Sequence, residues 1–468
     1  MSAYDYDLLV IGSGPAGHKA AIQAAKLGKK VGVIERKTAV GGVCINTGTI
    51  PSKTLREAAL RLSGYRDRDL YGASYTVKQH ITMADLLFRV EQVIQNEIDV
   101  SRHQLMRNDV DILAAHASFV DAHTLRMDYV DSPGKQELRA ENVVIAVGTT
   151  TTRDPNIPFD GEHIFLSDDV LHLKQLPRTL AVIGGGVIGL EYACIFAALG
   201  VRITLIDKYP NLLPFVDREI MDALVYHLRS SRATLRLGET VKGMELADDE
   251  LGKRVRIHLD SGKEISSEQA LYSIGRTGAT RELNLPGAGL EADARGRLKV
   301  NEHYQTAVPH IYAVGDVIGF PALASTSMEQ GRMAACHAFG VPSHSLPELF
   351  PFGIYTVPGI SMVGKTEEQL TELGVPYEVG RASYKEIARG QILGDHTGLL
   401  KLIFHYETRK VLGVHIIGRE AAELVHIGQA VMAFGGTVDY FIDAVFNFPT
   451  LAECYKTAAF DGINRLAR

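Results

Sequence analysis

Six glycines in two clusters are the first residues of this 468-residue sequence whose spacing points to chemistry. Gly12, Gly14 and Gly17 form one G-x-G-x-x-G run, and Gly184, Gly186 and Gly189 form another. Each follows a short apolar run and opens a helix-length segment. A second β-rich run then ends in an acid, Glu35 in one copy and Asp207 in the other. In such a unit the first glycine permits the tight turn out of the strand. The second lets a pyrophosphate approach the backbone, and the third lets helix and strand pack closely. The helix N-terminus offers unpaired N–H groups and a positive dipole end to phosphate, and the acid can accept from ribose hydroxyls. One glycine run alone is often only a turn. Here the whole pattern recurs at an offset of 172 residues, Tyr6 to Arg36 lying over Arg178 to Lys208 with Gly28 on Gly200. Two dinucleotide sites are implied.

Other segments qualify that reading. His310-Ile-Tyr-Ala-Val-Gly-Asp316 is a β-rich run ending in Gly-Asp before a helical stretch. It resembles the second flavin motif of two-dinucleotide flavoproteins, in which the Asp meets the ribityl chain. Val143 to Gly148 and Leu271 to Arg276, with Gly275, resemble the strand-plus-glycine crossings that close FAD and NAD domains. Gly41-Gly-Val-Cys-Ile-Asn-Thr-Gly-Thr-Ile-Pro-Ser-Lys53 places Cys44, Thr49 and Lys53 in one short segment.

That segment resembles the redox segment of the pyridine nucleotide–disulfide oxidoreductases, and the resemblance runs along essentially the whole chain. It implies FAD bound at Gly12, Gly14, Gly17, Glu35, Gly42, Lys53, Gly148 and Asp316. It also implies NAD(P) bound at Gly184, Gly186, Gly189, Glu191, Asp207, Lys208 and Gly275. In that family the segment reads Cys-x4-Cys and carries a redox-active disulfide; here Thr49 stands where the second cysteine belongs. Dithiol exchange needs a second thiol to resolve a mixed disulfide, which a hydroxyl cannot do. A second departure lies at Phe446-Asn-Phe-Pro-Thr-Leu-Ala-Glu453: Phe448 replaces the family's acid–base histidine, while Glu453, which would orient it, remains. Phenylalanine cannot move a proton.

Cys-x4-Thr with this Phe-Asn-Phe-Pro-Thr segment resembles the soluble pyridine nucleotide transhydrogenases of the family. The resemblance implies one non-covalent FAD per subunit, NAD and NADP as substrates, and hydride transfer from NADPH to NAD+ through the flavin without a redox disulfide. A diaphorase or quinone reductase would use the same residues with another acceptor. A flavoprotein that has lost catalysis and senses nucleotides would also keep both glycine runs.

Individual residues carry their own alternatives. Lys53 and Glu191 match a family pair that serves catalysis at the reactive end of the flavin; the plain alternative is a surface lysine and a solvated or capping glutamate. Glu191 lies in an apolar stretch, where an unpaired charge is costly. Cys44 and Thr49 are expected near the flavin, as packing residues or as direct contacts. Asp207 suits the free 2′-OH of NAD and opposes the 2′-phosphate of NADP, an effect that Lys208 or Arg202 could offset.

The elements that must hold these groups set the fold class: α/β, with two Rossmann-like dinucleotide-binding domains followed by a C-terminal α+β interface domain. The order implies an FAD domain (1–150), an inserted NAD(P) domain (151–278), a return segment of the FAD domain (279–347) and a dimerisation domain (348–468). The resemblance implies a homodimer through the last of these, with larger assembly left open. The composition, 46% hydrophobic and 22% charged, excludes wholesale disorder. A net charge of -6 without charge runs offers no footprint for nucleic acid or an acidic membrane surface. The four cysteines lie far apart, which fits neither a disulfide framework nor a metal site, and no metal is expected. Ala181 to Gly200 is apolar enough to span a bilayer, but its glycines and Glu191 favour a buried strand, turn and helix. With an N-terminus unlike a signal peptide, the expectation is a cytoplasmic protein without a membrane partner.

Overall fold

The computed structural model describes residues 3–72, 74–130, 134–249, 252–343 and 349–466. The chain divides into two compact units. One comprises Met1–Thr54, Leu87–Thr152 and Gly275–Ser345, the other Leu55–Leu86, Arg153–Ile274 and Leu346–Arg468. The expected boundary at 347/348 lies outside the described residues.

In the first unit, the strand Tyr6–Ile11 leads into the glycine run from the middle of a parallel sheet. Val31–Glu35 and then Asp111–Phe119 lie on one side of it, Lys135–Ile145 and then Ile311–Ala313 on the other. Thr124–Tyr129 pairs antiparallel with both long strands. Successive side chains of a strand point to opposite faces. Leu9, Ile11, Val143 and Ile145 accordingly enter one core, and Leu8, Val10 and Val144 enter another. Burial on both faces is why these strands read as continuous apolar runs. The helix Pro15–Lys26 packs on Ala324–Ala338 so closely that a Cβ at Gly331 would lie 2.0 Å from the Ala16 carbonyl oxygen.

The second unit repeats this topology. Thr179–Ile183 is central, with Arg202–Asp207 and then Thr234–Leu237 on one side, Gln269–Tyr272 and then Ile164–Leu166 on the other, all parallel. The apolar window 181–200 is resolved into that strand, a glycine turn and the helix Val187–Ala198, which is buried on nearly every side. No helix among the described residues is long and apolar enough to cross a membrane.

The same unit contains an antiparallel sheet ordered Phe352–Ile354, Ile360–Gly364, Val411–Ile417, Leu399–His405, Tyr377–Ser383. Leu400, Leu402 and Phe404 face a core shared with Leu424, Tyr455 and Ala458. Lys401 alternates to the other face and is fully buried. Its ammonium donates to Asp217 Oδ1 at 2.8 Å and to Glu367, and lies 3.1 Å from Glu219 Oε2. Asp217, Glu219 and Glu367 converge closely enough to suggest a cation site, and the Lys401 ammonium lies among them.

Candidate functional site

Both glycine turns are built alike. Gly12 and Gly184 each have φ +103°, a left-handed conformation that disfavours any side chain. The Gly12 N–H donates to the Ile34 carbonyl at 2.8 Å, and the Gly184 N–H donates to the Ile206 carbonyl at the same distance. The third glycine is fixed by close approach. A Cβ at Gly17 would lie 1.9 Å from the Gly12 oxygen, and one at Gly189 would lie 2.0 Å from the Gly184 oxygen. Helices Pro15–Lys26 and Val187–Ala198 start at Gly14 and Gly186 with no capping side chain, leaving their first N–H groups to a ligand. A Cβ at Gly186 would meet nothing within 4 Å, so the backbone there faces open space.

The acids close the turns. Glu35 is buried, and its Oε2 accepts from the Ser13 N–H at 3.1 Å and the Ser13 hydroxyl at 2.5 Å, while Oε1 accepts from the Lys37 N–H at 3.1 Å. Asp207 makes the corresponding contacts, accepting from the Gly185 N–H and, at 2.8 Å, from the Tyr209 N–H. Lys208 is exposed, with its ammonium 4.9 Å from the centre of the Tyr209 ring. Arg202 is exposed as well.

In the first unit the turn opens onto a cleft. Gly12, Gly14, Glu35, Gly42, Cys44, Thr49, Gly148 and Asp316 all line it, although they come from widely separated parts of the chain. Gly17 lies beneath the turn, and Lys53 is outside the lining. Lys53 is half-buried on the helix Thr49–Leu62 and donates to Ser52 Oγ at 3.3 Å. Burial raises the Asp316 pKa against the opposing pull of Arg276 and a hydrogen bond from Ser327. Burial likewise raises the Cys44 thiol, opposed by a hydrogen bond with Thr49. All four cysteines are free, and of these Cys44 alone lines the cleft.

Three residues of this site were not singled out in the sequence. Ser13 bonds Glu35 and also accepts from the Gly41 N–H at 2.9 Å, tying the glycine turn to the segment that carries Cys44. Its position between two glycines was the available signal. Gln330 accepts from the Gly315 N–H at 2.8 Å, and Ser327 lines the cleft with Asp316; both lie on the helix after the Gly-Asp pair.

In the second unit, Glu191 is 4% exposed on its helix, and its Oε1 accepts from the Tyr355 N–H at 2.8 Å. Gly275, expected with the nicotinamide nucleotide, is the first residue of the closing segment of the first unit, where its carbonyl accepts from the Thr152 N–H at 3.1 Å. Phe448 is 72% exposed. Glu453 retains a buried oxygen, Oε2, without a hydrogen-bond partner among the described residues.

The comparisons agree with this construction. The profile of the family described as pyridine nucleotide-disulphide oxidoreductase matches residues 6–331, and that of its dimerisation domain matches residues 350–459. A soluble pyridine nucleotide transhydrogenase of Mycobacterium bovis is 53% identical over 462 residues, covering 99% of this chain and 98% of the relative. One from Shigella flexneri is 46% identical over 468 residues, with 99% of each covered. Among solved structures, the HOCl-induced flavoprotein disulfide reductase RclA from Escherichia coli superposes with a TM-score of 0.86 at 28% identity, covering 97% of this chain and 99% of that one. LpdA from Mycobacterium tuberculosis gives a TM-score of 0.88 at 24% identity, with 97% and 99% covered, a likeness of fold. The chain belongs to the pyridine nucleotide–disulphide oxidoreductase family.

Proposed function

We propose that this protein is a soluble pyridine nucleotide transhydrogenase that binds FAD and moves a hydride between NADPH and NAD+ without a redox-active disulfide. The observation that carries the reading is the pairing of Cys44 with Thr49 in the cleft: no second thiol is there to store electrons. The full-length relatives named as transhydrogenases support the same activity.

The cleft of the first unit fits FAD: an uncapped helix start for phosphate, an acid at the end of the neighbouring strand, and a half-buried Asp316. When bound, the flavin supplies the hydride chemistry, and the protein supplies position and electrostatics. In this reading the Gly12–Gly14 turn holds the pyrophosphate, Glu35 the ribose and Asp316 the ribityl chain. The Gly184–Gly186 turn and Asp207 serve the nicotinamide nucleotide, and Lys53 and Glu191 serve the hydride step. Phe448 can neither accept nor donate a proton, so neither half-reaction draws on an acid–base group at that position.

The division into FAD (1–150, 279–347), NAD(P) (151–278) and dimerisation (348–468) domains belongs to the same proposal, as does a cytoplasmic location. The matched dimerisation domain supports a homodimer. The test is anaerobic hydride transfer from NADPH to thio-NAD+, with lipoamide and a quinone as competing acceptors. Rapid reduction of thio-NAD+ with none of lipoamide is the expected result. Rapid quinone reduction with slow transfer to thio-NAD+ would replace the proposed acceptor.

A further inference from the structure

We propose that Arg56 is a positioning residue for Glu191, acting through the Tyr355–Thr356 dipeptide. The inference rests on the reading that Glu191 serves the hydride step.

Glu191 is nearly inaccessible, and its carboxylate takes the Tyr355 N–H at 2.8 Å. A buried carboxylate needs both hydrogen bonds and countercharge to stay ionised in one place. Arg56 adds positive charge to this neighbourhood, and its field and that of Glu191 reach each other. Its side chain is 13% exposed, and its Nε and Nη2 both donate to the Thr356 carbonyl, at 3.0 and 2.9 Å. Its Nη1 donates to Glu57 at 2.7 Å. Two adjacent residues are therefore held from opposite sides, Tyr355 by the acid through its N–H and Thr356 by the guanidinium through its carbonyl. Burial lowers the Arg56 pKa, opposed by Glu57 and, more weakly, by Cys194 and Glu191. Tyr355 also lies in the fields of both Glu191 and Arg56. Four groups from three distant parts of the chain form one electrostatic unit around the Glu191 carboxylate.

The planar fork of arginine suits this task better than the ammonium of lysine, because two parallel donors fix both the direction and the distance of the carbonyl. Thr356 has no exposed surface, so loss of Arg56 takes from its carbonyl two donors that water is badly placed to replace. The loop then relaxes, and the Tyr355 N–H shifts against Glu191. None of these groups lines the cleft of the first unit, so FAD content is expected to be unaffected.

The experiment is stopped-flow reduction of the bound FAD by NADH under anaerobic conditions, on holoenzyme carrying Arg56→Met, Arg56→Lys, Glu191→Gln, and Arg56→Met with Glu191→Gln. Arg56→Met is expected to slow the limiting rate of flavin reduction by about tenfold to a hundredfold. The dissociation constant for NADH should change by less than about threefold. Arg56→Lys should restore part of the rate. The decisive readout is the double variant: if Arg56 works through Glu191, Arg56→Met slows Glu191→Gln little further. Independent, multiplicative losses would overturn the inference, as would slowing by Arg56→Met when Glu191→Gln has no effect. Should Arg56→Met not fold, the same cycle run with Arg56→Lys decides. Flavin reduction is read without any acceptor, so failure of the transhydrogenase reading would appear separately, as slow thio-NAD+ reduction by an enzyme that NADH still bleaches rapidly.

Discussion

Thr49 and Cys44 both line the first-unit cleft, so the residue five positions beyond the cysteine shares the wall with its sulfur but carries oxygen. This arrangement retains the placement of a two-sulfur centre while removing its chemistry. The reduced holoenzyme should lack the long-wavelength band of a thiolate stacked on flavin. Thr49→Cys should acquire such a band on reduction by NADH, with a corresponding loss of nicotinamide-to-nicotinamide transfer. An unchanged spectrum in that variant would show that the two side chains are not placed for sulfur–sulfur bonding.

Cys44 itself is expected to be a spectator. Burial raises its pKa above the ordinary value of 9.0, so the thiol is protonated at neutral pH and the nucleophilic thiolate is scarce. Alkylation by iodoacetamide should be slow at pH 7 and accelerate only as the pH passes 9. Cys44→Ser should keep turnover within about threefold of the parent enzyme. Collapse of turnover with FAD still bound would give the sulfur a catalytic role.

The duplicated turns can be separated by one methyl group each. Gly17→Ala drives a Cβ to within 1.9 Å of a backbone oxygen in the first turn, and Gly189→Ala does the same at 2.0 Å in the second. Neither carbonyl can move without opening its turn, and such overpacking typically costs about 1–3 kcal/mol. Gly17→Ala should purify without flavin. Gly189→Ala should be yellow, with a normal flavin spectrum, yet fail to bleach with NADH. The opposite pattern would exchange the assignment of the two turns.

These turns were legible in the sequence because backbone geometry leaves no other residue at Gly12, Gly17, Gly184 or Gly189, and composition records that demand directly. The chemistry at 49 and 448 was legible for a similar reason, since a hydroxyl and a benzyl group cannot perform thiol exchange or proton transfer wherever they sit. What stayed hidden depends on partners distant in sequence. Leu399–His405 reads as an apolar strand, and nothing in it shows that Lys401 turns inward to meet Asp217, 184 residues away. Arg56 reads as a surface arginine on a helix until folding brings Thr356 to it, 300 residues along. Segment 55–86 likewise belongs to the second unit only through such contacts.

Lys401 offers a stability test. With its side chain 1% exposed and carboxylates from Asp217, Glu219 and Glu367 around it, replacement by Met removes the buried cation that all three acids share, leaving Arg381 on Glu219 and Glu367. Breaking a buried ionic cluster on one side typically costs about 3–5 kcal/mol. Burial would raise both acids, but His415 and Lys401 hold Asp217, and Arg381 and Lys401 hold Glu219, below their ordinary values of 3.8 and 4.5. A carboxylate with a depressed folded pKa adds stability that is present above its unfolded pKa and lost as pH falls through the folded one. Lys401 is raised above 10.5, so its contribution is complete below that value and fades as pH climbs through the folded pKa. Urea unfolding should therefore show the difference between parent and Lys401→Met flat from about pH 5 to pH 10 and shrinking in acid. A difference that grew below pH 4 would contradict the cluster as described.

Asp207 should set the nucleotide preference. Its two oxygens are oriented by the Gly185 and Tyr209 N–H groups, which fixes a negative charge at the end of the strand. A 2′-hydroxyl can donate to such a carboxylate, whereas a 2′-phosphate brings like charge to it. At about 4 Å and an effective dielectric near 20, one such unit pair is unfavourable by about 4 kcal/mol before screening. Nearby Lys208 offsets part of this, but its ammonium rests over the Tyr209 ring. Asp207→Asn removes the charge and retains the size. Of its two side-chain atoms one can still accept a backbone N–H, while the amide nitrogen opposes the other, so some loosening of the turn accompanies the change. The expected result is a rise of about tenfold or more in the ratio of kcat/KM for NADPH to that for NADH, equivalent to about 1.4 kcal/mol, with most of it coming from better use of NADPH. Raising salt should narrow the gap between parent and variant for NADPH, because the repulsion is screened over about 10 Å at 0.1 M ionic strength. A ratio unchanged by the substitution and by salt would mean that the 2′ position does not meet Asp207, and that nucleotide preference is read elsewhere on the second unit.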